Sequence, residues 1–430
     1  MSDIIQKRDV MLRYEYDDRI ETYGCFSAGQ YPRSLYPLPP ATAERMSRDY
    51  PDFDAESYAI WIHFEDGAEN ISITIPAEKD GHPIRGVTID SPRMRDPRER
   101  VVLKYLYIPS TVQYLFIGST NNPLWICDVE MSPDNPWLCI HKNGIYSKDM
   151  KTLYHIFSPE KYSDGCFEVA EGVELIKHGA GAGHTGLKKL VIPEGVTEIE
   201  DEAFQWCYSL KEISLPNTLR EIGHRAFAEI GVKKLTLPPN IKELGGNVIG
   251  NRGPSGHDLT LELYLKDGAL PKMVRPVPSG GLVVVLSAET NEKLFEFVML
   301  ERVDMFLTEQ GIDFAKYDEL FKISSNRKYS DYNKDVIRAA QVRLQYVDRS
   351  DKEKRELFKK YIVDAAWIIA HNSVTQYPNE YTDGDIAEDT YLDLIPDELL
   401  TSLIDEAIQL KKPEVTARLL QYKHERNSHE

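Results

Sequence analysis

Three prolines, Pro193, Pro216 and Pro238, step by 23 and then 22 residues, and each closes a short run of alternating apolar side chains. Leu190, Ile192 and Pro193 correspond to Ile213, Leu215 and Pro216, and again to Leu235, Leu237 and Pro238. Two more apolar positions follow each proline: Val196 and Ile199, Leu219 and Ile222, Ile241 and Leu244. Two copies then add an Ala-Phe pair, Ala203-Phe204 and Ala226-Phe227. The same unit is readable upstream. Phe167, Val169 and Ala170 lead to Val173 and Ile176, with Ala170 in the proline position. Leu103, Leu106, Ile108 and Pro109 lead through Val112 to Leu115, and Ile71, Ile73, Ile75 and Pro76 lead to Pro83-Ile84. Six units with one period define a solenoid, and such self-similarity outranks local propensity.

The residues of one unit have a physical reading. In the L-x-I-P piece every second side chain points inward, which is a short strand. Proline ends it, because a proline nitrogen has no proton for another ladder bond. The later Val and Ile, then the Ala-Phe pair, fill the interior as the chain crosses back. One unit cannot bury its apolar side alone, so neighbours must stack and share a core.

These residues closely resemble the BspA-type leucine-rich repeat of bacteria, over roughly half the chain. The segment from Val129 through Asn135-Pro136 to Gly144-Ile145-Tyr146 and Leu153 is similar to the longer, hairpin-bearing unit of such arrays. Asp80-Gly-His-Pro-Ile84 is similar to the opening repeat. The resemblance implies a surface or adhesion protein that binds host or partner proteins.

The ends depart from the repeat. Residues 1–55 carry Pro32, Pro37, Pro39 and Pro40 among several tyrosines and are expected to be an irregular cap. The repeat domain is expected over 56–286, with Leu282–Leu286 as its last buried strand. From 287 to 430 the spacing turns helical: Leu294, Phe297, Val298, Val303 and Leu307; Val336, Ala340, Leu344 and Val347; Phe358, Ile362, Ala365, Ala366 and Ile369; Leu399, Leu400, Leu403, Ile404, Ala407 and Ile408. Pro413 suits the first turn of a final helix. This region is similar to ankyrin-like helical repeats but lacks their T-P-L-H motif. The expected fold class is therefore α+β: a leucine-rich-repeat solenoid of short strands followed by an all-α domain.

Charge narrows the partners. With 51 basic and 69 acidic residues the formal charge is −18, a sign that repels phosphate backbones and argues against nucleic acid. No run approaches the ~18 apolar residues of a membrane span. The N-terminal MSDIIQKRDV holds no apolar core of signal-peptide length. Five widely spaced cysteines without a C-x-x-C read as thiols of a reducing compartment. The expected location is cytoplasmic, with the cell surface as the alternative that the resemblance implies.

Candidate chemistry is sparse. Gly181-x-Gly183-x-x-Gly186 has dinucleotide-fingerprint spacing, which works only where a strand enters and a helix leaves. Here the repeat register reads straight through: Ala180 matches Ala203, Gly181 takes the place of Phe204, and His184 that of Cys207. The run is a degenerate repeat turn. His155, His178 and His184 match no zinc spacing and read as surface or turn histidines. The acidic stretch 380–398 lacks the D-x-D-x-D-G calcium loop and reads as a solvated loop. Gly253-Pro-Ser255-Gly256 lacks nucleophile-elbow spacing. No catalytic set and no cofactor or metal site emerges; an enzyme would need a site outside the repeats.

The outward strand positions remain as the candidate site: Tyr105, Tyr107, Lys189, Val191, Glu212, Ser214, Lys234 and Thr236. Stacking lines them up on the exposed sheet face, a common partner-binding surface of solenoids. Tyrosines offer contact area at small rotamer cost. The expected function is a non-catalytic protein-binding scaffold; the alternative is a surface adhesin.

Overall fold

The computed structural model describes residues 10–16, 58–64, 71–79, 81–90, 101–118, 124–158, 164–250, 259–273, 275–300, 307–308, 311–319, 321, 330–375 and 389–429. The chain divides into two units, Met1–Val232 with Pro238–Gly250, and Lys233–Leu237 with Asn251–Glu430.

In the first unit each repeat contributes a strand to two parallel sheets. Cys166–Glu168, Lys189–Val191 and Glu212–Ser214 pair in register, so Phe167, Leu190 and Ile213 share one row. The second sheet stacks Leu175–Ile176, Glu198–Ile199, Glu221–Ile222 and Glu243–Leu244, which places Ile176, Ile199, Ile222 and Leu244 in line. Leu190, Val196, Ile199, Phe204, Leu219 and Phe227 have 0% exposure or nearly so. Each such side chain contributes roughly 1.5–3 kcal/mol of burial. Between the sheets' strands the turns are bonded to their neighbours one repeat on. Glu194 accepts from the Asn217 and Thr218 backbone N–H groups at 3.0 and 3.2 Å, and Thr218 Oγ1 donates to Val196 O at 2.9 Å.

The enlarged repeat is a pair of antiparallel hairpins. Leu138–His141 pairs with Gly144–Ser147, which pairs with Thr152–Ile156, and that strand joins the second parallel sheet beside Leu175–Ile176. Asn135, 1% exposed, anchors its start. Its Nδ2 donates to Pro109 O (2.8 Å) and Val112 O (3.0 Å), while its Oδ1 accepts from Trp137 N and Leu138 N, both at 2.8 Å.

Two further sheets precede it. Ile71–Thr74, Val101–Ile108 and Leu124–Met131 run parallel. Tyr58–Phe64, His82–Asp90 and Tyr114–Gly118 also run parallel, and Val10–Tyr16 adds an antiparallel strand to Tyr58–Phe64. That strand lies within the stretch expected to be irregular. The alternation of Val10, Leu12, Tyr14 and Tyr16 is a strand signal that the downstream prolines obscured. The other residues of 1–55 lie outside the described ones.

In the second unit Lys234–Thr236, Thr260–Leu265 and Leu282–Ser287 run parallel, and Lys293–Val298 returns antiparallel. Here the helical spacing expected from Leu294 to Phe297 and Val298 is corrected to a strand, and Leu282–Ser287 is not the last one. The reason is the turn between them. Ser287 Oγ accepts from the Glu289 and Thr290 N–H groups at 3.2 Å each, and Asn291 takes the left-handed conformation at φ 60°. This closes a hairpin instead of starting a helix. Val303 lies outside the described residues, and Leu307–Thr308 forms a short strand with Gly311–Ile312.

Among the described residues six helices follow: α1 Phe314–Asp318, α2 Ser330–Tyr346, α3 Lys352–Thr375, α4 Asp389–Leu392, α5 Asp397–Gln409 and α6 Pro413–His429. The expected apolar faces are largely the buried ones, as with Phe358, Ile362, Ala365, Ala366 and Ile369 on α3. Ile408 is an exception, 55% exposed at the end of α5. Pro413 opens α6. Arg343 on α2 donates to both Asp318 oxygens at 2.8 and 3.2 Å and lies 4.2 Å over the Phe314 ring. Among the described residues no helix is long and apolar enough to cross a membrane.

Candidate protein-binding face

Parallel in-register pairing turns alternate strand residues outward and stacks them in rows. Tyr105 and Tyr107 lie on Val101–Ile108, between Ser72 and Thr74 on one side and Asp128 and Glu130 on the other. Both tyrosines are half-buried, and Asp128 and Glu130 are exposed. The Tyr105 hydroxyl donates to Glu130 Oε2 at 2.8 Å. That bond, with a smaller contribution from burial, raises the Tyr105 pKa and keeps the phenol a donor.

Lys189 and Val191 stand between Cys166 and Glu168 on one neighbouring strand and Glu212 and Ser214 on the other. Lys189 Nζ is 3.4 Å from Glu212 Oε2, with both side chains at least half exposed. Such a pair contributes little to stability, at most about 1 kcal/mol. The structure thus brings Lys189, Val191, Glu212 and Ser214 together in one sheet and places Tyr105 and Tyr107 in another. Lys234 and Thr236 belong to the second unit. There Glu262 accepts from Thr236 Oγ1 at 2.6 Å and pairs with Lys234 Nζ at 2.7 Å. Partial burial pushes the Glu262 pKa up, but the Lys234 and Thr236 bonds outweigh it and hold the carboxyl below its ordinary value.

Sequence reasoning missed Asp128 and Glu130. Asp128 and Glu130 alternate with Cys127, Val129 and Met131, the mark of a sheet face, but the resemblance to the enlarged repeat begins at Val129 and divides their strand. Glu168 and Glu262 were missed in the same way; each lies one strand away in the same row as a selected residue, Glu168 beside Val191 and Glu262 beside Thr236.

The glycine-rich segment is a repeat turn. An ideal Cβ on Gly181 would lie 2.6 Å from Phe204 Cδ1 and 3.0 Å from Ile156 Cδ1, so the missing side chain makes room for the next repeat's phenylalanine. The segment leads into the strand Lys189–Val191, where a dinucleotide site would need a helix. The surface reading of its histidines is corrected. His155 is 2% and His184 0% exposed, and their rings meet edge to face at 5.9 Å. His184 fills the inward Cys207 position, and carbonyl oxygens of Gly181, Ala182, Ile156 and Phe157 lie 3.0–3.2 Å from its ring nitrogens. Burial lowers the His184 pKa, against those carbonyls, and lowers that of His155 further, with the His184 charge as the second cause. His178 stacks on Phe116 at 5.4 Å. Among the described residues no three His, Cys, Asp or Glu side chains converge as a metal site. Residues 251–258, with the serine motif, and 376–388, with the first half of the acidic stretch, lie outside the described ones; the second half is corrected from a loop to helix at Asp389–Leu392 and from Asp397 onward.

Short parallel strands, several of them ended by proline, stacked over a shared core of Leu, Ile and Phe, define a leucine-rich-repeat solenoid. Residues 168–252 match the BspA type leucine rich repeat region in six copies, and that stretch of the chain is such a region. No curated protein matches the sequence. Three solved structures that match are bacterial leucine-rich-repeat proteins. The pneumococcal vaccine antigen PcpA is 16% identical over 54% of this chain and 84% of that one, with a TM-score of 0.31. A leucine rich cell surface protein from Faecalibacterium prausnitzii is 19% identical over 57% of each chain, with a TM-score of 0.27. The T. pallidum leucine rich repeat protein is 17% identical over 44% of this chain and 94% of that one, with a TM-score of 0.24.

Proposed function

We propose that this protein is a non-catalytic scaffold that binds another protein on the exposed face of its repeat sheets. BspA-type repeats are typical of protein-interaction or surface proteins. One observation carries the reading: strand residues alternate between a more buried and a more exposed side. Leu103, Leu106, Ile108 and Leu190 are fully buried, whereas Tyr105, Tyr107, Lys189 and Ser214 face outward in register. Repeat surfaces of this kind commonly serve as extended binding sites. The test is capture of a partner from lysate of the native organism. The Tyr107→Ala, Lys189→Glu double variant should lose a protein that the wild type retains; unchanged capture removes the face from consideration.

On the same reading residues 1–55 are a cap, the repeat sheet runs on past 286 to include Lys293–Val298, and the helices from Phe314 onward hold a partner of their own. Limited proteolysis that cuts first between Leu300 and Phe314 supports that division. A cytoplasmic location rests on cysteine usage: Cys127, Cys139, Cys166 and Cys207 are free thiols. The adhesin alternative, favoured by the repeat type, predicts that protease added to intact cells removes the protein.

A further inference from the structure

The sheet of Cys166–Glu168, Lys189–Val191 and Glu212–Ser214 ends at Cys166–Glu168, which among the described residues has Lys189–Val191 as its only neighbour. The ladder fixes which backbone groups that neighbour uses. Lys189 N donates to Gly165 O at 3.1 Å, and Val169 N donates to Val191 O at 3.0 Å. A parallel ladder takes alternate residues of a strand to one side, so Gly165, Phe167 and Val169 serve Lys189–Val191. The N–H and C=O groups of Cys166 and Glu168 point the other way. That edge offers two donors and two acceptors.

A cavity of about 460 Å³ lies along this strand, lined by Lys142, Asn143, Cys166, Phe167 and Glu168. Its other wall is the turn between Leu138–His141 and Gly144–Ser147. The turn is held in place, because Asn143 O accepts from Phe157 N at 2.8 Å. Lys142 and Glu168 are both exposed, and among the described residues neither is in an ion pair. The cavity therefore combines an open row of backbone groups with a cation on one wall and an anion on the other.

We propose that the edge Cys166–Glu168 takes up an extended segment of a partner protein as an added strand, with an acidic side chain of the segment at Lys142 and a basic one at Glu168. In strand addition the main-chain bonds supply affinity and the flanking side chains supply specificity. An extended chain lies ~4.8 Å from its neighbour and rises ~3.3 Å per residue, so about three or four residues of the segment cover this edge. The inference concerns the rim of the sheet and not its outward face, and it stands whether or not the face binds.

The test uses the full chain and a phage-displayed library of random 12-residue peptides. Clones selected on the wild type count as edge-dependent when Lys142→Glu/Glu168→Lys weakens them about tenfold or more, with thermal melts to confirm folding. Synthetic copies of these clones then carry single N-methyl groups at successive backbone positions. The expected result is a loss of binding at every second position over three or four residues, since only alternate N–H groups of an added strand face Cys166–Glu168. Each such peptide should hold an acidic and a basic residue, and exchanging the two should restore binding to the charge-exchanged variant. Glu168→Pro, which removes an N–H that Lys189–Val191 does not use, should weaken the peptides more than Glu168→Gln does. Sensitivity to N-methylation without a period of two overturns the inference, and so does a selection with no edge-dependent clone.

Discussion

Phe204 and Phe227 stack with ring centroids 5.8 Å apart and planes 7° from parallel, one repeat above the other. Gly181 occupies the same position one repeat earlier, where a Cβ would meet Phe204 at 2.6 Å. The core therefore ends its phenylalanine ladder at Phe204 and lets that ring lie against the Gly181 backbone. Phe227→Ala should destabilise the protein by about 3–5 kcal/mol, the usual cost of an emptied aromatic site. Gly181→Ala should cost about 1–3 kcal/mol through overpacking, and less in a Phe204→Leu background. A urea-unfolding double-mutant cycle measures both, and strict additivity contradicts the contact.

Asn135 satisfies four backbone groups at the entry to the enlarged repeat. Asn135→Ala leaves two buried carbonyls and two N–H groups short of a partner. The expected loss is about 2–4 kcal/mol, at about 1 kcal/mol per bond. A loss under about 0.5 kcal/mol in the same unfolding assay shows that the side chain is not the anchor.

Acid should weaken the first unit through His155. Burial and the neighbouring His184 hold its pKa well below the ordinary 6.5. The unfolded chain therefore takes up the proton first, so the stabilisation is complete above about pH 6.5 and is lost as the pH falls below it. Glu202 has the opposite sign: burial pushes its pKa up to about 7, so its folded form binds protons in the same window. The His155→Leu variant separates the two. Relative to it the wild type should lose up to about 1.4 kcal/mol for each pH unit below 6.5. Parallel stability curves for the two proteins contradict this.

In the second unit the Arg343 and Asp318 side chains are 8% and 10% exposed, and Lys354 Nζ approaches Asp318 Oδ2 at 2.7 Å. Removing the guanidinium leaves the buried carboxylate two hydrogen bonds short, with Lys354 as its remaining counter-charge. Arg343→Met should therefore cost about 3–5 kcal/mol, and the Arg343→Met/Asp318→Leu double variant should recover most of it. Failure of the double variant to recover stability points to lost packing of Arg343 on Phe314 instead.

What the sequence made legible follows from period. Inward positions such as Leu190 and Ile213 or Ile199 and Ile222 recur at 23 residues, and a repeated slot constrains its side chain many times over. The strand Lys293–Val298 was hidden because it occurs once, and Leu294, Phe297 and Val298 satisfy a helical spacing as well. Its pairing with Leu282–Ser287 depends on the turn at Ser287 to Asn291. His184 was assigned to the correct slot but its burial was underrated, because the slot decides exposure while residue type suggested surface. The tyrosines were legible as outward residues. Asp128 and Glu130 were not, since their rows form only when a third strand is laid beside Tyr105 and Tyr107.

On the proposed function, partner binding uses the outward face of the repeat strands rather than the second sheet. Quantitative affinity capture with two variants decides between the two surfaces: Tyr107→Ala/Lys189→Glu on the face, and Glu221→Lys on the second sheet. A partner should be lost by the first variant and retained by the second. Retention by the first and loss by the second would place the partner on the second sheet instead.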